Sequence, residues 1–262
     1  MLISHHHRFV FVKPRKTAGT TVELALSPFL QAGDLATPIE VEEEPLRQVL
    51  PGVRIGLIGT RPGFGRAGAL RDHSPLSHAL RRLPVIADYR IVSMCRNPWD
   101  RAVSQFFWSL RRTDMRQRSI DEQRKAFADY TRKWGPRTWL DRFYGRKRQR
   151  ALDATPLYFV DGQCRASYFV RFEALAEDVA ELGSWLGLEG TPQIGAYAAK
   201  AGLRPVGSRN WTGYYDNDTR RLVAEECRWE IDTFGYDFEG TAVPNGPKFS
   251  AMQDFSEKRH RA

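Results

Sequence analysis

Two apolar runs each end in a basic turn that opens a helical pattern, and this repeated strand–turn–helix order constrains the fold more than any other feature. The first run, Arg8-Phe9-Val10-Phe11-Val12-Lys13, is β-branched and aromatic. It passes through Pro14-Arg15-Lys16-Thr17-Ala18-Gly19 into Thr20-Thr21-Val22-Glu23-Leu24. The second run, 88–95, passes through Arg96-Asn97-Pro98 into a helical pattern that reaches Leu110. Short apolar runs bounded by turn residues read as buried strands. Strands that alternate with helices predict an α/β fold, here a central parallel sheet flanked by helices. A chain of 262 residues fits a single such domain, with its core at about 8–240 and a peripheral tail at 241–262.

The remaining elements follow from the same signals. Thr20 or Thr21 is expected to cap the first helix, and Ser74-Pro75 to start another with serine as N-cap and proline at the first helical position. Further helices are predicted at 120–134 and 138–144, and strands at 157–160 and 167–171. Leu175, Val179, Leu182, Trp185 and Leu186 form one stripe of a helix over 173–186 that Gly187 ends. A second amphipathic helix is predicted over 217–234. The Pro-, Gly- and Glu-rich stretch 31–68 reads as loop, with a short helix at 42–50.

Each basic turn is a candidate anion site. In the first, the backbone N–H groups of the turn and the helix start present positive potential, Lys16 adds a full charge, and Gly19 lets backbone approach a ligand. The Walker pattern G-x-x-x-x-G-K-[ST] is absent, because Lys16 precedes Gly19. In the second, Arg96 ends a strand and Ser104 lies about two helical turns on, so both can face one phosphate. Taken singly, the first turn also reads as a plain strand-to-helix connection with a solvated lysine. The second likewise reads as an ion pair beside a helix-face hydroxyl.

Read together, the two segments resemble the PAPS-dependent sulfotransferases (PAPS is 3′-phosphoadenosine 5′-phosphosulfate), most closely the bacterial branch related to Golgi carbohydrate sulfotransferases. Lys16-Thr17-Ala18-Gly19-Thr20-Thr21 matches that family's 5′-phosphosulfate loop, P-K-T-x-G-T-[ST]. Arg96 to Ser104 matches its 3′-phosphate motif, R-[DN]-P-x-x-R-x-x-S. The likeness covers most of 8–240 and is poorest at 31–70 and 111–155. Arg15 stands where many members have proline, and Val22 where cytosolic members place a tryptophan against adenine. The resemblance implies a P-loop-NTPase-like sulfotransferase fold, PAPS as co-substrate and a hydroxyl-bearing acceptor, a glycan or glycoconjugate being expected. It also implies that Lys200 and Arg204 belong to a C-terminal cofactor loop, and that Lys16 assists departure of the bisphosphate.

Sulfonyl transfer needs a base for the acceptor's proton, and His73, in Asp72-His73-Ser74-Pro75, is the candidate. Several carbohydrate sulfotransferases place a histidine or glutamate between the two cofactor motifs. No cluster has metal-ligand spacing, and no metal is expected to take part.

The net charge of +9 suits a phosphorylated ligand and equally a nucleic acid. Two other classes therefore stay open: a P-loop-like ATP-dependent kinase, which lacks the Walker spacing, and a basic nucleic-acid-binding protein, which leaves the paired turns unexplained. Arginines and aromatics interleave over 111–150, a candidate acceptor surface or simply solvated helix faces. No apolar run approaches the ~20 residues of a membrane span. His5-His6-His7-Arg8 interrupts any signal-peptide core. Cys95, Cys164 and Cys227 show neither disulfide nor metal spacing, so a cytoplasmic location is expected.

Overall fold

The computed structural model describes residues 1–56, 69–133, 152–195, 204–205 and 210–241. These fall into two compact units. One comprises described residues up to Cys95 together with 155–195; the other comprises 96–133, 152–154, 204–205 and 210–241.

The first unit is built on a six-stranded sheet. Its strands are β1 (Leu2–Ser4), β2 (Phe9–Phe11), β3 (Leu35–Ala36), β4 (Arg54–Ile55) and β5 (Arg90–Cys95), joined by Tyr168–Arg171; the last is β8, since a separate hairpin of β6 (Phe159–Val160) and β7 (Gln163–Cys164) precedes it. The spatial order is β4-β3-β1-β2-β5-β8. β2 pairs in parallel with β5 (Val10 opposite Ile91), and β5 in parallel with β8 (Met94 opposite Val170). β1 runs antiparallel to both β2 and β3. The sheet is therefore mixed, which corrects the expectation of a parallel one. The reason is local: residues 5–8 form a tight turn, and a connection that short joins only antiparallel strands. The buried Asp34 carboxylate holds this turn. It accepts Ser4 Oγ at 2.8 Å, the His5 N–H at 2.7 Å and the Gln31 N–H at 2.9 Å.

α1 (Gly19–Leu26) follows β2, and α2 (Leu76–Arg82) precedes β5. In the second unit α3 (Pro98–Ser109) leads to α4 (Ile120–Thr131). Back in the first unit, a single turn, α5 (Thr155–Tyr158), occupies part of the strand predicted at 157–160, and α6 (Leu175–Leu186) ends at Gly187 with φ 72°. The expected long helix over 217–234 is broken at Cys227 into α7 (Asn217–Glu226) and α8 (Arg228–Phe234) of the second unit. Two helix-start expectations are also corrected. Ala18, not a threonine, is the N-cap of α1, and no side chain caps it. Pro75 is the N-cap of α2, because Ser74 Oγ is taken by the Arg71 N–H at 2.8 Å. The 42–50 helix is a 3-10 turn at Glu44–Leu46. The helix predicted at 138–144 lies outside the described residues.

The core of the first unit packs Phe9, Phe11, Val92 and Met94 of the sheet against Val22 and Leu26 of α1 and Val179 and Leu182 of α6. Packing in the second unit centres on edge-to-face aromatic pairs, among them Phe106–Phe127 at 5.5 Å and Phe107–Tyr214 at 5.7 Å. A buried ion pair joins α3 to α8 there. Arg101 donates to both oxygens of Glu230 and to the Leu152 carbonyl, and both charged side chains are about 1% exposed. Removing one partner of such a pair leaves an uncompensated buried charge. Arg101→Ala should therefore cost about 3–5 kcal/mol in urea unfolding, while Arg101→Met with Glu230→Leu should cost far less. Equal losses in the single and double variants would contradict this.

Candidate functional site

The turn after β2 owes its shape to two residues in the left-handed region, Lys16 at φ 62° and Ala18 at φ 65°. Neither is glycine, so each holds a conformation that costs about 1–2 kcal/mol and persists only because its surroundings enforce it. The Thr17 hydroxyl turns inward, donating to the Pro14 carbonyl at 3.0 Å and lying 3.7 Å from Met94 Sδ. Its side chain braces the turn; only its backbone remains available for an anion. Thr20 and Thr21 are buried in the first turn of α1. With no capping side chain, the first N–H groups of α1 keep the positive potential that anions seek at helix starts.

Gly19 has a second reason to be glycine. A Cβ there would lie 2.6 Å from Lys13 Cβ and 2.7 Å from Lys13 Cδ. Lys13 cannot yield, because its ammonium is fixed at both ends of a buried network. Lys13 Nζ lies 2.5 Å from Glu23 Oε2 and 2.6 Å from Asp72 Oδ1. The Met1 nitrogen lies 2.5 Å from Glu23 Oε1 and 2.7 Å from Thr37 Oγ1. Burial opposes every charge in this cluster. The two carboxylates nonetheless hold the Lys13 ammonium above its ordinary pKa, and Lys13 with its neighbours brings the Asp72 carboxyl down to about 2.

His73 is tied into the same network. Its Nδ1 lies 2.9 Å from the Lys13 carbonyl, which can only accept, so Nδ1 carries the proton and Nε2 the lone pair. Nε2 is 3.3 Å from Asp72 Oδ2. The structure thus brings His73 to the root of the turn that holds Lys16. Burial pushes the imidazole down to about 4, with Asp72 opposing the shift and Arg15 adding to it. The ring is neutral at physiological pH, with Nε2 as its basic atom.

The second turn begins immediately beyond β5. Arg96 is the next residue after Cys95, the last of β5. Asn97 is the N-cap of α3, accepting the Trp99 N–H at 3.1 Å and donating to the Asp237 carbonyl at 2.8 Å. Asp100, one helical turn beyond Arg96, takes Arg96 Nε at 2.7 Å and Arg96 Nη2 at 2.5 Å on one oxygen, and Arg204 Nη1 at 2.5 Å on the other. The structure therefore joins Arg96 and Arg204, which the sequence places far apart, through a carboxylate that sequence reasoning missed. The available signal was spacing, since Asp100 is i+4 from Arg96. Ser104 is one turn further along α3, 8% exposed, and its hydroxyl forms no hydrogen bond among the described residues. The second arginine of the motif, Arg101, is the structural one paired with Glu230.

Other expected positions differ in standing. Lys200 lies outside the described residues. In the described part of the basic 111–150 stretch Arg111 stacks on Trp108 at 3.9 Å, Arg118 pairs with Asp114 and Glu122, and Arg132 reaches Asp216 at 3.6 Å. No group of three or more His, Cys, Asp or Glu side chains among the described residues is arranged to hold a metal ion. No helix among them is long and apolar enough to cross a membrane. No protein-family model, curated protein or solved structure matches the chain.

The buried neutral histidine makes stability depend on pH. Because the folded pKa of about 4 is below the ordinary 6.5, the unfolded chain binds more protons between those values. Stability should thus rise with pH across this window, by about 3 kcal/mol in all, and the gain is lost on acidification. Urea midpoints at pH 4.5 and 6.5 test this. His73→Gln should lose most of the rise, and an unchanged rise would contradict the assignment.

Proposed function

We propose that the chain is a PAPS-dependent sulfotransferase that moves the sulfonyl group of PAPS to a hydroxyl acceptor, with carbohydrate as the acceptor class and the cytoplasm as its place of action. The observation that carries this reading is the bond between His73 and the root of the Lys16 turn, which sets a neutral base with a basic Nε2 beside a backbone bend suited to an anion. In this reading the 5′-phosphosulfate belongs to the Lys16–Thr21 turn, through its backbone N–H groups and the Lys16 ammonium. The 3′-phosphate belongs to Arg96 and Ser104, with Arg204 and Lys200 completing the cationic set.

The chemistry asked of these groups is modest and electrostatic. The acceptor oxygen attacks sulfur, and its proton passes to His73 Nε2. The bond between sulfur and the 5′-phosphate oxygen breaks, and its electron pair stays on the departing adenosine 3′,5′-bisphosphate. Lys16 meets the charge that develops on that oxygen, the point at which a preorganised cation lowers the barrier most. Asp100 keeps the two arginines from repelling each other before a phosphate arrives.

Labelled-sulfate transfer from PAPS, screened across sugar, lipid, peptide and small-metabolite hydroxyls, tests the activity. His73→Ala should lower kcat by about 10²–10⁴-fold with bisphosphate affinity nearly intact. Arg96→Ala should weaken bisphosphate binding by about tenfold or more, as expected when a charge-assisted contact is lost. Unchanged turnover removes His73 from the mechanism, and unchanged affinity removes Arg96 from the phosphate site.

A further inference from the structure

Resting on the sulfotransferase reading, we propose that Asp72 is the positioning residue of the base: held by Lys13, it faces His73 Nε2 and receives the imidazolium formed when the acceptor's proton is taken. The geometry is closed on both sides by one residue. The Lys13 carbonyl takes the Nδ1–H of His73 at 2.9 Å, and the Lys13 ammonium anchors Asp72 Oδ1 at 2.6 Å. The other Asp72 oxygen, Oδ2, stands 3.3 Å from Nε2.

In the resting state that last contact joins two acceptors, a lone pair and a carboxylate, and stabilises nothing. Once Nε2 has gained a proton the ring is a cation, and the same contact becomes an ion pair. An interaction realised only after proton transfer lowers the barrier without tightening the ground state. The charged groups around the ring make this role specific. Lys13 and Arg15 are cations and disfavour an imidazolium, and Asp72 opposes them. Glu23 lies beyond Lys13, whereas the Met1 nitrogen stands 3.7 Å from Asp72 Oδ1 and is a second cation against that carboxylate. The His73 side chain is 20% exposed, which leaves the ring an approach for an acceptor hydroxyl.

The balance of the step is simple. The proton leaves the acceptor oxygen for Nε2, the positive charge on the ring is matched by Asp72, and solvent removes the proton after product departs. Asp72→Asn keeps the size of the side chain and removes its charge, while Lys13 retains Glu23. Ring titration of His73 by NMR in the full chain, without substrate, should show its pKa falling by about one unit or more in Asp72→Asn and recovering in Asp72→Glu. kcat should fall about tenfold or more with bisphosphate affinity little changed, and the thermal midpoint should drop because Lys13 loses one of its two carboxylates. The nitrogen shifts of the wild-type neutral ring should report the proton on Nδ1, a readout that needs no variant to fold. Titration at the same pH in wild type and Asp72→Asn, or a neutral ring protonated on Nε2, overturns the proposal. A wild type that transfers no sulfonyl group to any acceptor defeats the sulfotransferase reading instead, whatever the ring titration shows.

Discussion

The buried ammonium of Lys13 is the interaction on which the first unit depends. Its two carboxylate partners come from separate parts of the chain, Glu23 on α1 and Asp72 on the segment before α2. Desolvating such a cation is costly unless its partners are close and well aligned, and both lie within 2.6 Å. Three features follow from it. α1 is pinned by Glu23 so that its first turn sits over the lysine stem, and this requires glycine at position 19. The segment bearing His73 is pinned by Asp72. The Lys13 carbonyl then selects which nitrogen of His73 is protonated. A residue that reads as the polar end of a strand thereby sets both the shape of the Lys16 turn and the tautomer of His73.

The second unit treats its motif arginines in opposite ways. Arg101 is spent entirely on the fold, bonded to Glu230 and the Leu152 carbonyl in a buried interior. Arg96 shares one carboxylate with Arg204, so two guanidiniums surround a single negative charge. Asp100 takes one guanidinium on each of its oxygens and so orients the pair. The adjacent Ser104 hydroxyl forms no bond among the described residues. These are the groups on which the proposed 3′-phosphate site rests.

Much of this was legible locally. The turns at 14–19 and 96–98 declare themselves through proline, glycine and basic residues between an apolar run and a helical pattern, and Gly187 marks the end of α6 as expected. The missed strands β1, β3 and β4 have only two or three residues each, too few to show a period of two. β1 in particular hides before three histidines, and missing it turned a mixed sheet into a parallel one. The break between α7 and α8 at Cys227 carries no glycine or proline to announce it. At the site, His73 was found by residue type and position, but its tautomer and its tie to Lys13 depend on a contact across sixty residues. Asp72 and Glu23 were visible only as neighbours of more interesting residues, because long-range ion pairing leaves no periodic trace.

The account stands or falls on whether the protein recognises a nucleotide phosphorylated at both ends. Isothermal titration with adenosine 3′,5′-bisphosphate, adenosine 5′-phosphate and ATP compares the alternatives directly. The bisphosphate should bind at least about tenfold more tightly than either of the others, as a second charge-assisted site requires. Equal affinity for all three, or a preference for ATP, would contradict the account.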